Sequence, residues 1–314
     1  VGTFLTTIHI LRGFASDFKD AYWVVMSLKS LVRALRALVE LFNMPTGVLH
    51  LKETSTNRRA MTRLARDRVE LSAKSWAVED DIPLEIVGMA YAFSSGLRFM
   101  SNISLTAPQG SMIAVTRSNQ VKGRSTFLKL LGQVISPTGG NLFIPSHLRV
   151  LHVSYQPVAL DAGLWLNLTF GDQDASRDRV LGILQGLGMR TTLHYLAEGQ
   201  DDDDRSWLHA FSPSELALVH LARAFVMSAE VTVFQRPFYH FSDVKTRSLV
   251  LRMMEELVAE KGVGLPAETR HRRRPRTCFF APEVIAEAED ADFIWHIQPD
   301  RSIVVRQGRG RTQR

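Results

Sequence analysis

A chain of 314 residues, 45% hydrophobic and 22% charged, buries a sizeable core as one large or two modest domains, which excludes global disorder. The formal net charge of +6 is gathered at 58–68, 270–276 and 301–314; such clusters suit anionic membrane surfaces or nucleic acid, and more often form solvated faces. A single cysteine, Cys278, excludes a disulfide framework and fits a reducing compartment, and no apolar run reaches the ~20 residues that span a bilayer.

Residues 1–44 carry apolar side chains at helical spacing, from Phe18, Tyr22 and Val25 to Leu35, Leu38 and Leu41, and predict one long helix or two. Pro45-Thr46-Gly47 ends that pattern. A start at Val1, with neither an initiator Met nor a signal pattern, reads as a piece of something longer. Residues 48–81 pass from basic Arg58-Arg59 to acidic Glu79-Asp80-Asp81 and read as a partly helical linker. From Ile82 short β-rich runs follow at 84–87, 103–105, 112–116, 141–144 and 149–153, with a helix from Gly123 through Leu131 among them. Helices at 177–188, 213–227 and 244–261 then alternate with strands at 231–234 and 277–280. A short helix at 282–288 and strands at 293–297 and 302–305 close the pattern. Strands alternating with helices predict a parallel α/β core, and the antiparallel opening adds a β subdomain. Asp201 to Asp204 reads as a solvated loop, and Asn102-Ile103-Ser104 and Asn167-Leu168-Thr169 match a glycosylation pattern inside what reads as a core.

Several phrases recur in one order. Ile103-Ser104-Leu105-Thr106-Ala107-Pro108-Gln109-Gly110-Ser111-Met112-Ile113-Ala114-Val115 reads as strand, turn and strand, followed by Phe127-Leu128-Lys129-Leu130-Leu131-Gly132 and Pro137-Thr138-Gly139-Gly140. Next come Leu168-Thr169-Phe170-Gly171, Phe211-Ser212-Pro213-Ser214-Glu215, and Val231-Thr232-Val233-Phe234 running into Gln235-Arg236-Pro237. In order and spacing the chain resembles the nucleotide-binding domain of an exporter-type ABC transporter, and Asn43-Met44-Pro45-Thr46 is similar to the cytoplasmic end of its last membrane helix. The resemblance covers nearly the whole chain. It implies an α/β fold of P-loop NTPase type: a parallel core, an antiparallel β subdomain and a helical subdomain, preceded by a long N-terminal helix. Residues 1–47 would close the transmembrane domain, 48–81 link, 82–308 form the cassette and 309–314 a basic tail.

The site residues follow from the same resemblance. A P-loop needs glycines so that backbone N–H groups approach phosphates, a lysine for the β/γ-phosphates and a hydroxyl for Mg²⁺. Here the glycine positions fall on Ser118 (or Arg117) and Val121, leaving Gly123; Arg124 stands for the lysine, and Ser125 and Thr126 keep the hydroxyls. The place of Lys122 in the loop stays open. Tyr155, with Gln156 beside it, takes the Q-loop position, and Ser212, Ser214 and Glu215 take the signature loop. There Pro213 removes an N–H and Glu215 turns a negative charge toward a triphosphate. Gln235 and Arg236 occupy the metal and base carboxylates, Pro282 the switch histidine, and Asp243 the D-loop aspartate. Phe93, or Tyr91, stacks on adenine or sits in the core.

Mg²⁺ takes hard oxygen ligands and an attacking water needs a polarising anion, so these replacements imply no catalytic residue, no metal and negligible hydrolysis. ATP is implied as a ligand bound weakly or not at all, and an anion pocket built on Arg124 and Arg236 would take it without Mg²⁺. The implied partners are a second cassette and a transmembrane domain in the same or another chain, with the cassette on the cytoplasmic side of a membrane and no specific nucleic acid. Two other readings stay open: an active ATPase using non-standard residues, and a scaffold binding anionic membrane or nucleic acid through 270–276 and the tail.

Overall fold

Two four-residue strands in which every side chain is buried, Val231–Phe234 and Thr277–Phe280, pair in parallel inside a six-stranded sheet. A strand apolar on both faces needs cover on both, and that requirement builds a layered body. The computed structural model describes residues 2–44, 48–70, 78–93, 95–118, 122–197 and 206–310. In chain order the strands are β1 (Leu84–Ala92), β2 (Arg98–Ala107), β3 (Met112–Arg117), β4 (Gly139–Phe143), β5 (Val150–Val153), β6 (Val231–Phe234), β7 (Thr277–Phe280), β8 (Phe293–Ile297) and β9 (Ile303–Gln307). The helices are α1 (Gly2–Phe42), α2 (Val48–Glu70), α3 (Arg124–Leu131), α4 (Leu164–Thr169), α5 (Arg177–Gly186), α6 (Arg190–Ala197), α7 (Trp207–Ala210), α8 (Pro213–Met227), α9 (Val244–Ala259) and α10 (Ile285–Glu289).

The larger sheet runs β5-β6-β7-β3-β8-β9, parallel except for the β8–β9 pair. The smaller is antiparallel, β2-β1-β4. Successive strand residues point to opposite faces, so Phe279 and Phe280 serve different cores. Phe280 joins Trp207, Phe225, Phe234 and Met254 on the side of α4, α8 and α9, while Phe279 joins Met89, Phe127 and Trp295 on the side of α3 and the antiparallel sheet. This is the parallel core with an antiparallel subdomain that the sequence predicts.

The chain divides into two compact units, the first ending at Ser55 and the second beginning at Thr56. The first holds α1, a single helix rather than two, about 60 Å long and with no buried residue. Phe4, Phe18, Trp23, Leu31 and Phe42 are among its exposed apolar side chains. Among the described residues no helix is long and apolar enough to cross a membrane.

Within the second unit several expectations change. The linker, expected as partly helical, is helix as far as Glu70, and its part in this unit begins at Thr56. Its Arg58 is no solvated charge: the guanidinium donates to the carbonyls of Ile144, Pro145 and Leu148. Strands β1 and β2 are longer than their apolar runs, because antiparallel pairing carries polar residues along the exposed face. Helices α4, α6 and α7 are too short to show a helical period. Helix α10 starts at Ile285 rather than at Pro282, because Glu287 accepts the backbone N–H groups of Glu283 and Val284 and fixes the turn there. Pro45-Thr46-Gly47, Val121, Asp201 to Asp204 and the tail from Arg311 lie outside the described residues.

Asn167 is a structural residue, not an exposed glycosylation acceptor. It is fully buried, its amide donates to the carbonyls of Leu160, Ala162 and Gly163, and its oxygen accepts from Leu160 N and Arg223. Replacing it with alanine strands several buried partners at once. The Asn167→Ala variant is therefore expected to lose about 2–3 kcal/mol of stability, read by urea denaturation; a loss under about 0.5 kcal/mol contradicts this account.

Candidate functional site

In a parallel sheet the loops beyond the carboxyl ends of the strands form the natural crevice. The turn from β3 into α3 and the loops after β6 and β7 enclose a cavity of about 590 Å³. Lys122, Gly123, Arg124 and Ser125 form one wall; Arg236 forms another; Pro282, Glu283, Val284 and Ile285 form a third. Thr116 and Arg117 of β3, with His296 and Arg306 of β8 and β9, complete its polar lining. Among the described walls five cationic side chains face a single carboxylate, Glu283.

That carboxylate is engaged twice. Arg236 grips it in bidentate fashion, Nε to Oε1 at 2.8 Å and Nη2 to Oε2 at 3.2 Å. Arg124 Nη2 lies 3.9 Å from the same Oε1 and donates through Nη1 to the Pro282 carbonyl at 2.6 Å. Burial pulls the Arg124 guanidinium down, with Glu283 offsetting part of it; the hydrogen bond with Glu283 pushes Arg236 up. The Arg236 guanidinium also lies 4.2 Å above the Tyr239 ring, and its backbone is held left-handed, with φ +54°. A bulky residue tolerates that conformation only where its surroundings impose it. At 31% and 25% side-chain exposure, the Arg236–Glu283 pair contributes roughly 1 kcal/mol or less, so it fixes geometry more than stability.

Gly123 is required at its position. Its φ is +125°, and a Cβ there would lie 1.8 Å from the Phe99 ring. Phe99 continues an aromatic row with Phe93 (6.2 Å) and Tyr91 (5.3 Å from Phe93). Phe93 is 37% exposed, so it is no core aromatic. Ser118, Thr126 and Phe93 are not among the described walls, although α3 and the β1–β2 hairpin place them nearby in the chain.

Two expected site residues point elsewhere. Gln235, buried at the end of β6, and Tyr155 line a separate gap of about 10 Å³ with His220 and His240. Burial, reinforced by Arg223, pushes His220 down to about 4, so it is neutral at pH 7. The loop of Tyr155 and Gln156 is tied down where His240 Nε2 donates to the Tyr155 carbonyl at 2.8 Å. Ser212 caps α8 in a reciprocal capping box: Glu215 Oε2 accepts from Ser212 N at 2.8 Å, and Ser212 Oγ accepts from Glu215 N. Glu215 thus turns back onto its own helix rather than outward; burial raises its carboxyl, but bonds from Thr191 and Ser212 together hold it below its ordinary value. Ser214 donates to the His240 carbonyl at 3.1 Å, which joins this loop to the segment after β6. Asp243 is the N-cap of α9 and accepts from Thr246 N at 2.7 Å.

Sequence reasoning overlooked Glu283, His296, Arg306 and Phe99. Glu283 had a signal: an acid directly after Pro282 while an arginine follows Gln235, a reversed pair that meets once β6 and β7 are neighbours.

No protein-family model matches the chain. It is 23% identical over 217 residues to the glutathione/L-cysteine transport system ATP-binding/permease protein CydC of Bacillus subtilis, covering 66% of this chain and 37% of that protein. It is 21% identical over 221 residues to the mitochondrial iron-sulfur clusters transporter ATM1 of Saccharomyces cerevisiae, covering 66% and 32%. Among solved structures, a bacterial Atm1-family ABC exporter with ATP bound superposes with a TM-score of 0.57 at 18% identity, over 72% of this chain and 39% of that one. The chain has the fold of an ABC cassette. It spans about a third of the length of the curated relatives named here.

The cassette's Gly123–Phe99 packing yields a test. Gly123→Ala is expected to lose about 2 kcal/mol or more from strain and overlap, read by thermal melting. In a Phe99→Ala background the same change should cost at least about 1 kcal/mol less, because the overlap is gone. Equal costs in both backgrounds refute the packing argument.

Proposed function

We propose that this chain is the nucleotide-binding end of an ABC membrane transporter and that this copy does not hydrolyse ATP. In this reading 1–47 close the transmembrane domain, 48–81 link, 82–308 form the cassette and 309–314 a basic tail. The cassette lies on the cytoplasmic side of the membrane, pairs with a second cassette and transmits its movements to membrane helices. The names of the relatives, a permease with an ATP-binding part and a mitochondrial transporter, support the coarse reading.

One observation carries the loss of hydrolysis: Arg236 stands directly after β6, where the attacking water would need an anion, and it is locked onto Glu283. Gln235 is directed into a different gap, and Pro282 contributes only a carbonyl, already taken by Arg124. Mg²⁺ does not fit the cavity. The only carboxylate among its described walls is held between two arginines, Ser125 offers one neutral oxygen, and five cations line the space. A polyphosphate does fit, because its charge matches that surplus and the volume is that of a small-molecule site. Arg124, Arg236 and Ser125 would hold the phosphates, and Phe93 or Tyr91 the base. Nucleotide then acts as a structural ligand that organises the cassette rather than as fuel.

Purified chain given radiolabelled ATP is expected to show turnover no higher than a Ser125→Ala/Thr126→Ala double variant; turnover clearly above that control ends the proposal. ATP affinity measured with Mg²⁺ and with EDTA should agree within about twofold, and a strict Mg²⁺ requirement would count against a metal-free pocket.

A further inference from the structure

We propose that Glu283 is a resident anion standing in the phosphate position of the cavity, and that phosphate-bearing ligands enter by exchanging with its carboxylate. The inference rests on the anionic-ligand reading of the pocket and goes beyond it, since it names the group a ligand must displace.

Three elements converge on one atom. Arg124 opens α3, Arg236 follows β6 and Glu283 follows β7, and both arginines approach the same Oε1, at 3.9 and 2.8 Å. Two guanidinium groups about one anionic oxygen is the arrangement that phosphate recognition uses. Among the described walls no second carboxylate competes, so Glu283 neutralises one charge of a cluster that also includes Lys122 and Arg306.

The three participants are anchored so that exchange leaves the site standing. Arg124 keeps its bond to the Pro282 carbonyl at 2.6 Å, and Arg236 keeps the Tyr239 ring at 4.2 Å. The Glu283 backbone N–H donates to Glu287 Oε2 at 2.7 Å, and Glu287 is itself held by Arg247 at 2.8 Å. Release of the carboxylate therefore needs only side-chain rotation, with the loop and both arginines fixed. An incoming diphosphate brings more charge and more acceptor oxygens than the carboxylate it replaces, and needs no divalent cation to reach an already cationic cavity. Glu283 thereby excludes weak monovalent anions and admits polyphosphates.

The test is titration calorimetry of the full chain with sodium pyrophosphate in EDTA. Glu283→Gln should bind at least tenfold more tightly than wild type, with an unchanged melting profile, and adding Arg236→Met should abolish that gain. A measurement on the unaltered chain guards against a variant that does not fold: pyrophosphate should raise carbodiimide-driven amidation of Glu283 by glycine amide, read by mass spectrometry. Glu283→Gln binding no more tightly than wild type, or labelling that is unchanged or reduced, overturns the exchange and leaves Glu283 as a brace. If wild type binds ATP in EDTA while the exchange fails, the pocket reading survives alone. If neither form binds pyrophosphate, both fall.

Discussion

The parallel pairing of β6 with β7 brings Arg236 and Glu283, 47 residues apart in the chain, to one edge of the sheet. Every property of the cavity depends on that juxtaposition. Without it Arg236 and Arg124 would line one cavity with no carboxylate between them. With it, the two loops are joined by a bidentate clamp, and Arg124 approaches the same carboxylate from its hold on the Pro282 carbonyl. The left-handed backbone of Arg236 belongs to the same constraint, since the guanidinium must reach the carboxylate and the Tyr239 ring together.

The charged residues around the cavity are consistent with one another as chemistry. An arginine after β6 alone would leave charge unbalanced, and a glutamate after β7 alone would leave a carboxylate facing Arg124 without a second partner. Together they neutralise each other. The signature loop follows the same logic on a smaller scale. Glu215 looks repulsive toward a phosphate until the capping box turns it back on Ser212, where it serves the helix terminus. The loops after β6 and β7 and the start of α8 therefore fold as satisfied local structures, with these charged groups paired inside the chain.

The order of strands and helices was legible because the apolar runs at 112–116, 231–234 and 277–280 are strong and bounded, and because the capped helices at 213 and 244 carry clear starts. Gly123, Arg124, Ser125, Arg236 and Pro282 were placed in one site from the sequence, and the cavity does gather them. Gln235 was assigned there too, yet only Arg236 reaches that cavity; Gln235 is buried just past β6 and lines the smaller gap with Tyr155 and His220. Arg58 and Asn167 were illegible for a different reason. Their roles lie in backbone carbonyls far along the chain, at Ile144 to Leu148 and Leu160 to Gly163, and no local pattern encodes which carbonyls will lack a partner. Glu283 sat between these cases, visible as a charge and meaningless until the strand order was known.

At this pocket the polar chemistry and the core meet but do not overlap. Phe234 and Phe280, the last residues of β6 and β7, are fully buried and belong to the packed core, while Arg236 and Glu283 lie just past them in the loops. A charged side chain placed beyond the strand end displaces no apolar contact, so the large terms in stability do not depend on it. Only Gly123 is bound to both, because the Phe99 ring that fills the antiparallel core also closes over the turn into α3. A side chain there would disturb the core itself, whereas at Arg236 the ion pair with Glu283 leaves that core intact.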